Sequence, residues 1–266
     1  MVKKMKKLNI TKLQQLKNSR PIVMITAYDA IFASLLAPSA DILLVGDSLN
    51  MSFGGNSDTL NITIDEMIYH TKAVCNGAPD TFVITDMPFG SYFNESDAIA
   101  NALKVYQNTK ADAIKIEGGS DKAHIIKALT DAGFAVCAHI GLLPQSVRAE
   151  GGYRVKGKND NEREKLINDA KAVEAAGAFM IVIEGVKAGV ATEVAKSVSV
   201  PVIGIGAGNG VDGQVLVYTD MLGLYEPFVP KFVKQYLDGA SLIKDAASRY
   251  ADEVKNRSFP DENYIY

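Results

Sequence analysis

Several polar residues stand where short apolar runs stop, and their types suit the chemistry of oxo acids. The runs end in Val45-Gly46-Asp47-Ser48, Thr85-Asp86-Met87-Pro88, Ile116-Glu117-Gly118-Gly119, Ala138-His139-Ile140-Gly141 and Ile183-Glu184-Gly185. Lys115 alternates with Glu117 along one of them. A dry, unpaired carboxylate costs several kcal/mol, so each of these acids needs a partner. Asp47, Asp86 and Glu117 cannot all be charged and close without a cation, and Lys115 alone does not balance three carboxylates. A bound divalent ion would. Oxygen ligands without a His or Cys cluster favour Mg2+ over Zn2+. Because Mg2+ keeps waters and takes one or two carboxylates from protein, Asp47 and Asp86 are the candidate direct ligands. Glu117 is expected to act through water.

Each residue also has a structural reading. Asp47 or Asp86 could cap the helix that follows, Glu117 could simply pair with Lys115, and Glu184 could face solvent. His139, one of three histidines, could be a satisfied core residue. The joint pattern over five consecutive runs is harder to explain in those terms. The stretch Gly204-Ile205-Gly206-Ala207-Gly208-Asn209-Gly210 offers free backbone N–H groups that could bind an anion, or it is a tight loop.

The elements that must position these side chains can be read from periodicity. Eight apolar runs occupy 22–28, 41–47, 81–87, 113–117, 134–139, 179–184, 200–205 and 214–219. Most are continuous Val, Ile, Leu and Ala, the mark of strands buried on both faces of a parallel sheet. Helical patterns lie between them. Ser96 is placed to cap a helix whose Ile99, Leu103 and Tyr106 share a face, and Asn159 and Glu162 have capping-box spacing ahead of Leu166, Ala170 and Val173. Gly133 and Gly177 follow helices, where a left-handed residue is common. Eight βα units predict a (β/α)8 TIM barrel, with all the polar strand ends gathered at one mouth. An open doubly wound sheet would want GxGxxG after the first strand, and Tyr28-Asp29-Ala30-Ile31 has none. We expect one domain over 1–266, with an N-terminal helical segment over 1–20 and C-terminal helices and tail over 224–266, including a helix over 238–255. Two long connections, 49–80 and 142–178, are expected to build or cover the site.

Composition excludes other classes. The 266 residues carry a net charge of −3, which favours neither nucleic acid nor anionic lipid. Lys3, Lys4, Lys6, Lys7, Lys12, Lys17 and Arg20 make the N-terminus basic, and we read them as the solvated face of a helix entering the barrel. Cys75 and Cys137 form neither a disulfide framework nor a zinc motif, as suits a reducing cytoplasm. No apolar run is long enough to span a membrane.

Taken in order, the strand ends resemble those of the ketopantoate hydroxymethyltransferase family. The strings that carry the resemblance are Ile25-Thr26-Ala27-Tyr28-Asp29, Leu44-Val45-Gly46-Asp47-Ser48, Met67-Ile68-Tyr69-His70-Thr71, Asp86-Met87-Pro88-Phe89, Lys115-Ile116-Glu117-Gly118-Gly119 and His139-Ile140-Gly141-Leu142. Pro144-Gln145-Ser146, Gly151-Gly152-Tyr153, the run from Pro201 to Gly208 and Pro230-Lys231-Phe232 extend it to roughly residues 10 to 255. The resemblance implies transfer of a one-carbon unit from 5,10-methylenetetrahydrofolate to 3-methyl-2-oxobutanoate, giving 2-dehydropantoate, on the way to pantothenate. It implies Mg2+ held by Asp47 and Asp86 with Glu117 close by, and a keto acid contacted by Asp47, Ser48, Asp86 and Lys115. Glu184 would be the proton acceptor, and His139 would orient substrate or a metal-bound water. It further implies a cytoplasmic homo-oligomer, often a decamer. The loop 55–61 and the residues Gly185 and Lys187 depart from the commoner family pattern. Two rivals remain: a Mg2+-dependent oxo-acid enzyme of the phosphoenolpyruvate mutase and isocitrate lyase type, whose lyases carry a catalytic Cys in a Lys-rich loop, and a non-catalytic metabolite-binding barrel.

Overall fold

A computed structural model describes residues 7–225 and 229–266, which fall into two compact units dividing between Val217 and Tyr218. The first unit holds eight strands: β1 (Ile22–Thr26), β2 (Ile42–Val45), β3 (Phe82–Asp86), β4 (Ala113–Glu117), β5 (Val136–Gly141), β6 (Met180–Glu184), β7 (Val202–Ile205) and β8 (Gly213–Leu216). They close into a parallel barrel in chain order, sealed where Ile22 to Ile25 pair with Gly213 to Leu216. Each expected run overlaps one strand. The last was drawn too long, because Tyr218–Met221 is helical; β-branched and aromatic residues there imitate a strand.

Side-chain alternation along the strands builds two apolar layers. Ile114, Ile116, Ala138, Ile140, Ile181, Ile183 and Val202 point outward and pack with Ile125, Leu129, Leu166 and Val194 of the surrounding helices. Ile42, Leu44, Phe82, Ile84, Cys137, Val182 and Ile203 fill the inside. By the same alternation Asp86, Lys115, Glu117, His139 and Glu184 fall on the inward set. Apolar inward residues occupy the strand starts, and polar ones the strand ends.

The helices follow local chemistry with some differences from expectation. Asn94, not Ser96, caps helix Glu95–Asn108, its Oδ1 accepting from Asp97 N at 2.9 Å. Ala98, Ala102 and Val105 are its buried stripe, and Leu103 is exposed. The buried stripe therefore decides which of several possible caps is used. Asn159 caps Asp160–Ala175 as expected, accepting from Glu162 N, but Glu162 reaches back to Lys158 N instead of Asn159 N. Gly133 and Gly177 have φ of 92° and 98°, and the bonds Phe134 N to Leu129 O and Ala178 N to Val173 O complete Schellman turns.

The N-terminal helix is short, Ile10–Leu16, capped by Asn9, with Leu13 buried in the inner core. Its basic residues are not simply solvated. Lys7 pairs with Asp112 at 2.7 Å, Arg20 with Asp41 at 2.6 Å and Lys17 with Asp212 at 2.8 Å. Those aspartates immediately precede β4, β2 and β8. Each also accepts a backbone N–H from the neighbouring strand: Val83 at 2.8 Å, Val23 at 3.0 Å and Val202 at 2.8 Å. Lys12 is exposed as expected, while Lys3, Lys4 and Lys6 lie outside the described residues. The second unit contains helix Gly239–Lys255, matching the expected 238–255. Phe259 stacks against Tyr250 and Tyr264 within the same unit, each at 5.6 Å. No helix among the described residues is long and apolar enough to cross a membrane.

Candidate active site

At the C-terminal mouth of the barrel, the ends of β2 to β6 bring the expected side chains into one buried cluster. Asp47 follows β2 through Gly46. Its backbone N–H donates to Asp86 Oδ2 at 3.0 Å, which draws the two acids together. A side chain at Gly46 would put its Cβ 2.8 Å from Ser48 Oγ, so the hydroxyl would have to move. Asp86, last in β3, pairs through Oδ1 with Lys115 Nζ at 3.1 Å, and the two are register partners across β3 and β4. Ser48 is bonded to Tyr28 OH at 2.9 Å.

Glu117 and Glu184 flank His139. Nδ1 of the imidazole lies 3.4 Å from Glu117 Oε1, and Nε2 lies 3.3 Å from Glu184 Oε2. Gly141 makes this spacing possible. Its φ is 98°, and a Cβ there would meet the Glu184 carbonyl at 2.4 Å. Glu184 is the most open of the set, with 19% of its side chain exposed against 3% for Glu117 and 4% for His139.

Electrostatics follow from burial and excess negative charge. Burial pushes the Asp47 carboxyl well above the usual range, and neighbouring Asp86 and Glu117 push the same way. Burial also raises Asp86, against the pull of Lys115. For Glu117 burial is outweighed by the His139 contact and by Lys115, so its pKa is lowered. Burial disfavours the Lys115 ammonium, but Asp86, Glu117 and Asp47 more than compensate, and the amine stays charged. Burial and Lys115 both oppose a charged His139, yet Glu117 and Glu184 push it up to about 9. Lys115 Nζ also lies 3.2 Å from His139 Nδ1, and it can donate there only if Nδ1 carries no proton. The two arrangements are alternatives. Two carboxylates outweigh one ammonium already matched by Asp86, so the charged imidazole prevails.

Two residues of this cluster carry no charge and escaped sequence reasoning. Gln145, in the connection after β5, donates from Nε2 to Asp47 Oδ2 at 2.8 Å and to Met87 O at 3.0 Å, and from its backbone to Glu117 Oε2 at 3.0 Å. Buried Tyr92 donates its hydroxyl to Gln145 Oε1. Only the string Pro144-Gln145-Ser146 pointed to the first, and nothing in the sequence pointed to the second.

The donor set fits a hard cation of modest ligand demand. Asp47 and Asp86 are adjacent, buried oxygen donors whose carboxyls burial pushes above the usual range. Mg2+ takes one or two protein carboxylates and fills the rest with water and substrate. Among the described residues no three His, Cys, Asp or Glu groups converge as a ligand set. Glu117 stands beside this pair, with its oxygens turned to His139 and the Gln145 backbone.

The long connections meet above the cluster. Arg148 donates to Asp58 at 2.9 Å, and Tyr153 OH reaches Met51 Sδ at 3.9 Å. Surface clefts of about 300 and 200 Å3 lie elsewhere, lined by residues such as Tyr69 and Lys104 or Lys165 and Leu166, and neither is lined by Asp47, Asp86, Lys115 or Glu184. The glycines after β7 are explained by packing: a Cβ at Gly208 would strike Ala188 at 2.5 Å and one at Gly210 would strike Thr192 at 2.1 Å. Cys75 and Cys137 are buried, and burial raises both thiols, Cys137 to about 12. Neither is a poised nucleophile of the lyase kind.

Comparison with known proteins agrees with this geometry. Solved structures of similar fold include a phosphoenolpyruvate phosphomutase from Streptomyces platensis subsp. rosaceus (TM-score 0.63, 16% identity, covering 97% of this chain and 92% of that one). A 2,3-dimethylmalate lyase of the PEP mutase/isocitrate lyase superfamily matches at TM-score 0.60 and 18% identity, over 97% of this chain and 92% of its own. At these identities they speak for the barrel alone. Sequence relatives reach further. A 3-methyl-2-oxobutanoate hydroxymethyltransferase of Sulfurimonas denitrificans is 64% identical over 98% of this chain and 99% of its own. One of Wolinella succinogenes is 57% identical over 98% and 100%, and one of Helicobacter pylori 52% over 98% and 97%. The family model for ketopantoate hydroxymethyltransferase matches residues 7–262. With barrel, acidic cluster and near full-length relatives in accord, this chain belongs to the ketopantoate hydroxymethyltransferase family.

Proposed function

We propose that the barrel mouth transfers a hydroxymethyl group from 5,10-methylenetetrahydrofolate to 3-methyl-2-oxobutanoate, giving 2-dehydropantoate. The observation that carries this reading is the convergence of Asp47, Asp86 and Lys115 from three consecutive strands, with Glu184 across His139. In the net reaction C3 of the keto acid loses its proton and forms a bond to the one-carbon unit. Water supplies the hydroxyl oxygen, and tetrahydrofolate leaves. Asp47 and Asp86 would hold Mg2+, with Glu117 close by, and the ion when bound would supply Lewis-acid polarisation of the 2-oxo group.

The chain's own groups account for the rest. Lys115 places a fixed positive charge beside the oxygens on which negative charge develops. Ser48, held by Tyr28, offers the keto acid a hydrogen bond. Glu184 is the base: it is the carboxylate with an open side, and it lies apart from the Asp47–Asp86 pair. His139, charged between the two glutamates, lies 3.3 Å from Glu184 Oε2 and holds that carboxylate in place. The buried thiols and the near full-length relatives favour this reading over a lyase or an inert barrel. The enzyme would work as a cytoplasmic homo-oligomer. The deciding assay is formation of 2-dehydropantoate, dependent on methylenetetrahydrofolate and Mg2+. Folded protein that makes no product under those conditions overturns the proposal.

A further inference from the structure

Gln145 makes four hydrogen bonds at the centre of the acidic cluster, and their directions leave its amide one orientation. Tyr92 OH donates to Oε1, so Nε2 must face the other way. There it has two acceptors, Asp47 Oδ2 at 2.8 Å and the Met87 carbonyl at 3.0 Å. Turned over, the amide would set its oxygen against a carboxylate and a carbonyl, with no donor between them. The backbone of the same residue holds Glu117 Oε2 at 3.0 Å. Gln145 is therefore bonded to both Asp47 and Glu117, and it spends one lone-pair direction of each. The Gln145 amide takes Oδ2 of Asp47, and Glu117 Oε1 faces His139 Nδ1 at 3.4 Å.

We infer that Gln145 is a positioning residue which, locked by Tyr92, presents Asp47 Oδ1 to the cation and keeps Glu117 turned to His139. This rests on the cation reading of the site given above. Gln145 touches neither substrate nor reacting atoms in this role. It acts by preventing Asp47 from rotating its two oxygens and by denying the Asp47 Oδ2 lone pair to the ion. Tyr92 OH also lies 3.5 Å from the Glu117 carbonyl, but its hold on Asp47 runs through Gln145, so its contribution to Mg2+ affinity should fall away once the amide is gone.

The test uses full-length protein and Mg2+ alone, titrated calorimetrically without keto acid or folate, followed by steady-state kinetics. Gln145→Met, which keeps the shape and removes the amide, should weaken Mg2+ roughly 10- to 100-fold, the usual effect of removing a residue that orients a ligand. At saturating Mg2+ most of its kcat should return, whereas a general packing defect would not be relieved by the ion. Tyr92→Phe should weaken Mg2+ about fivefold, as expected for one hydrogen bond. The double variant should be no worse than Gln145→Met. Wild-type Mg2+ affinity in Gln145→Met overturns the inference while leaving the cation reading intact. Wild-type protein that binds no Mg2+ overturns both. Should Gln145→Met fail to fold, Tyr92→Phe carries the test, and unchanged Mg2+ affinity in it overturns the inference.

Discussion

Glu184 and Glu117 sit on the two nitrogens of one imidazole, yet only Glu184 keeps an open side. That asymmetry gives them different work. Replacing Glu184 by Gln should lower kcat by roughly 10²–10⁴ with little change in KM, because the amide keeps shape and loses basicity. Turnover near that of the wild type in a steady-state assay would remove Glu184 from the role of base. The charged members of this cluster were legible in the sequence because each breaks an apolar strand, where an acid or base needs a reason. Gln145 and Tyr92 were not. A neutral amide in a connection and an aromatic residue among Phe89 and Phe93 look like ordinary loop and core, and only their mutual bonding distinguishes them. Charge counting places Glu117 near the acidic pair, but it does not see that its oxygens face His139 and the Gln145 backbone.

At the scale of elements, strand positions were readable because fully buried parallel strands are continuous apolar runs. Their inward and outward faces follow from alternation alone. The helix caps were less readable, since Asn94-Glu95-Ser96-Asp97 offers several candidates and tertiary packing chooses among them. The role of the N-terminal basic residues depended on aspartates far along the chain, which no local pattern reveals. Lys17 donates to Ala195 O at 2.8 Å, Val200 O at 2.9 Å and Asp212 at 2.8 Å. Lys17→Met removes the donor to both carbonyls and the cation beside Asp212, and should cost about 1–3 kcal/mol, read as a lower denaturant midpoint at unchanged m-value. Asp41 carries a pH signature. Burial raises its pKa, but the bonds from Arg20 and Val23 N outweigh that and leave it below the ordinary value. Its folded pKa is thus the lower one. The stabilisation is present above an unfolded pKa of about 3.9 and is lost as pH falls through the folded value. Asp41→Asn should melt lower than wild type at neutral pH, and the gap should close as the solution is acidified below that window. A gap independent of pH would show that charge is not what the pair contributes.

For the molecule as a whole, the proposed function has a cation relieve the crowding of carboxylates at the mouth. Mg2+ at about 100 times its Kd should stabilise the fold by about 2.7 kcal/mol and raise Tm by about 5–10 °C. Asp86→Asn should abolish most of that rise in a thermal melt, and an undiminished rise would place the ion elsewhere. The barrel closes along one seam, where β1 meets β8 and Lys17 meets Asp212, partners 195 positions apart in the chain. On the ribosome, β1 waits with a bare hydrogen-bonding edge until Gly213–Leu216 has emerged. Gly213 must then slip beneath the Ile22 carbonyl, where a Cβ would lie only 2.4 Å away. Final zippering is thus a late, long-range event gated by a residue without a side chain. Synthesis cut short before residue 213 would leave two naked strand borders, β1 and β7, open to pairing with other chains.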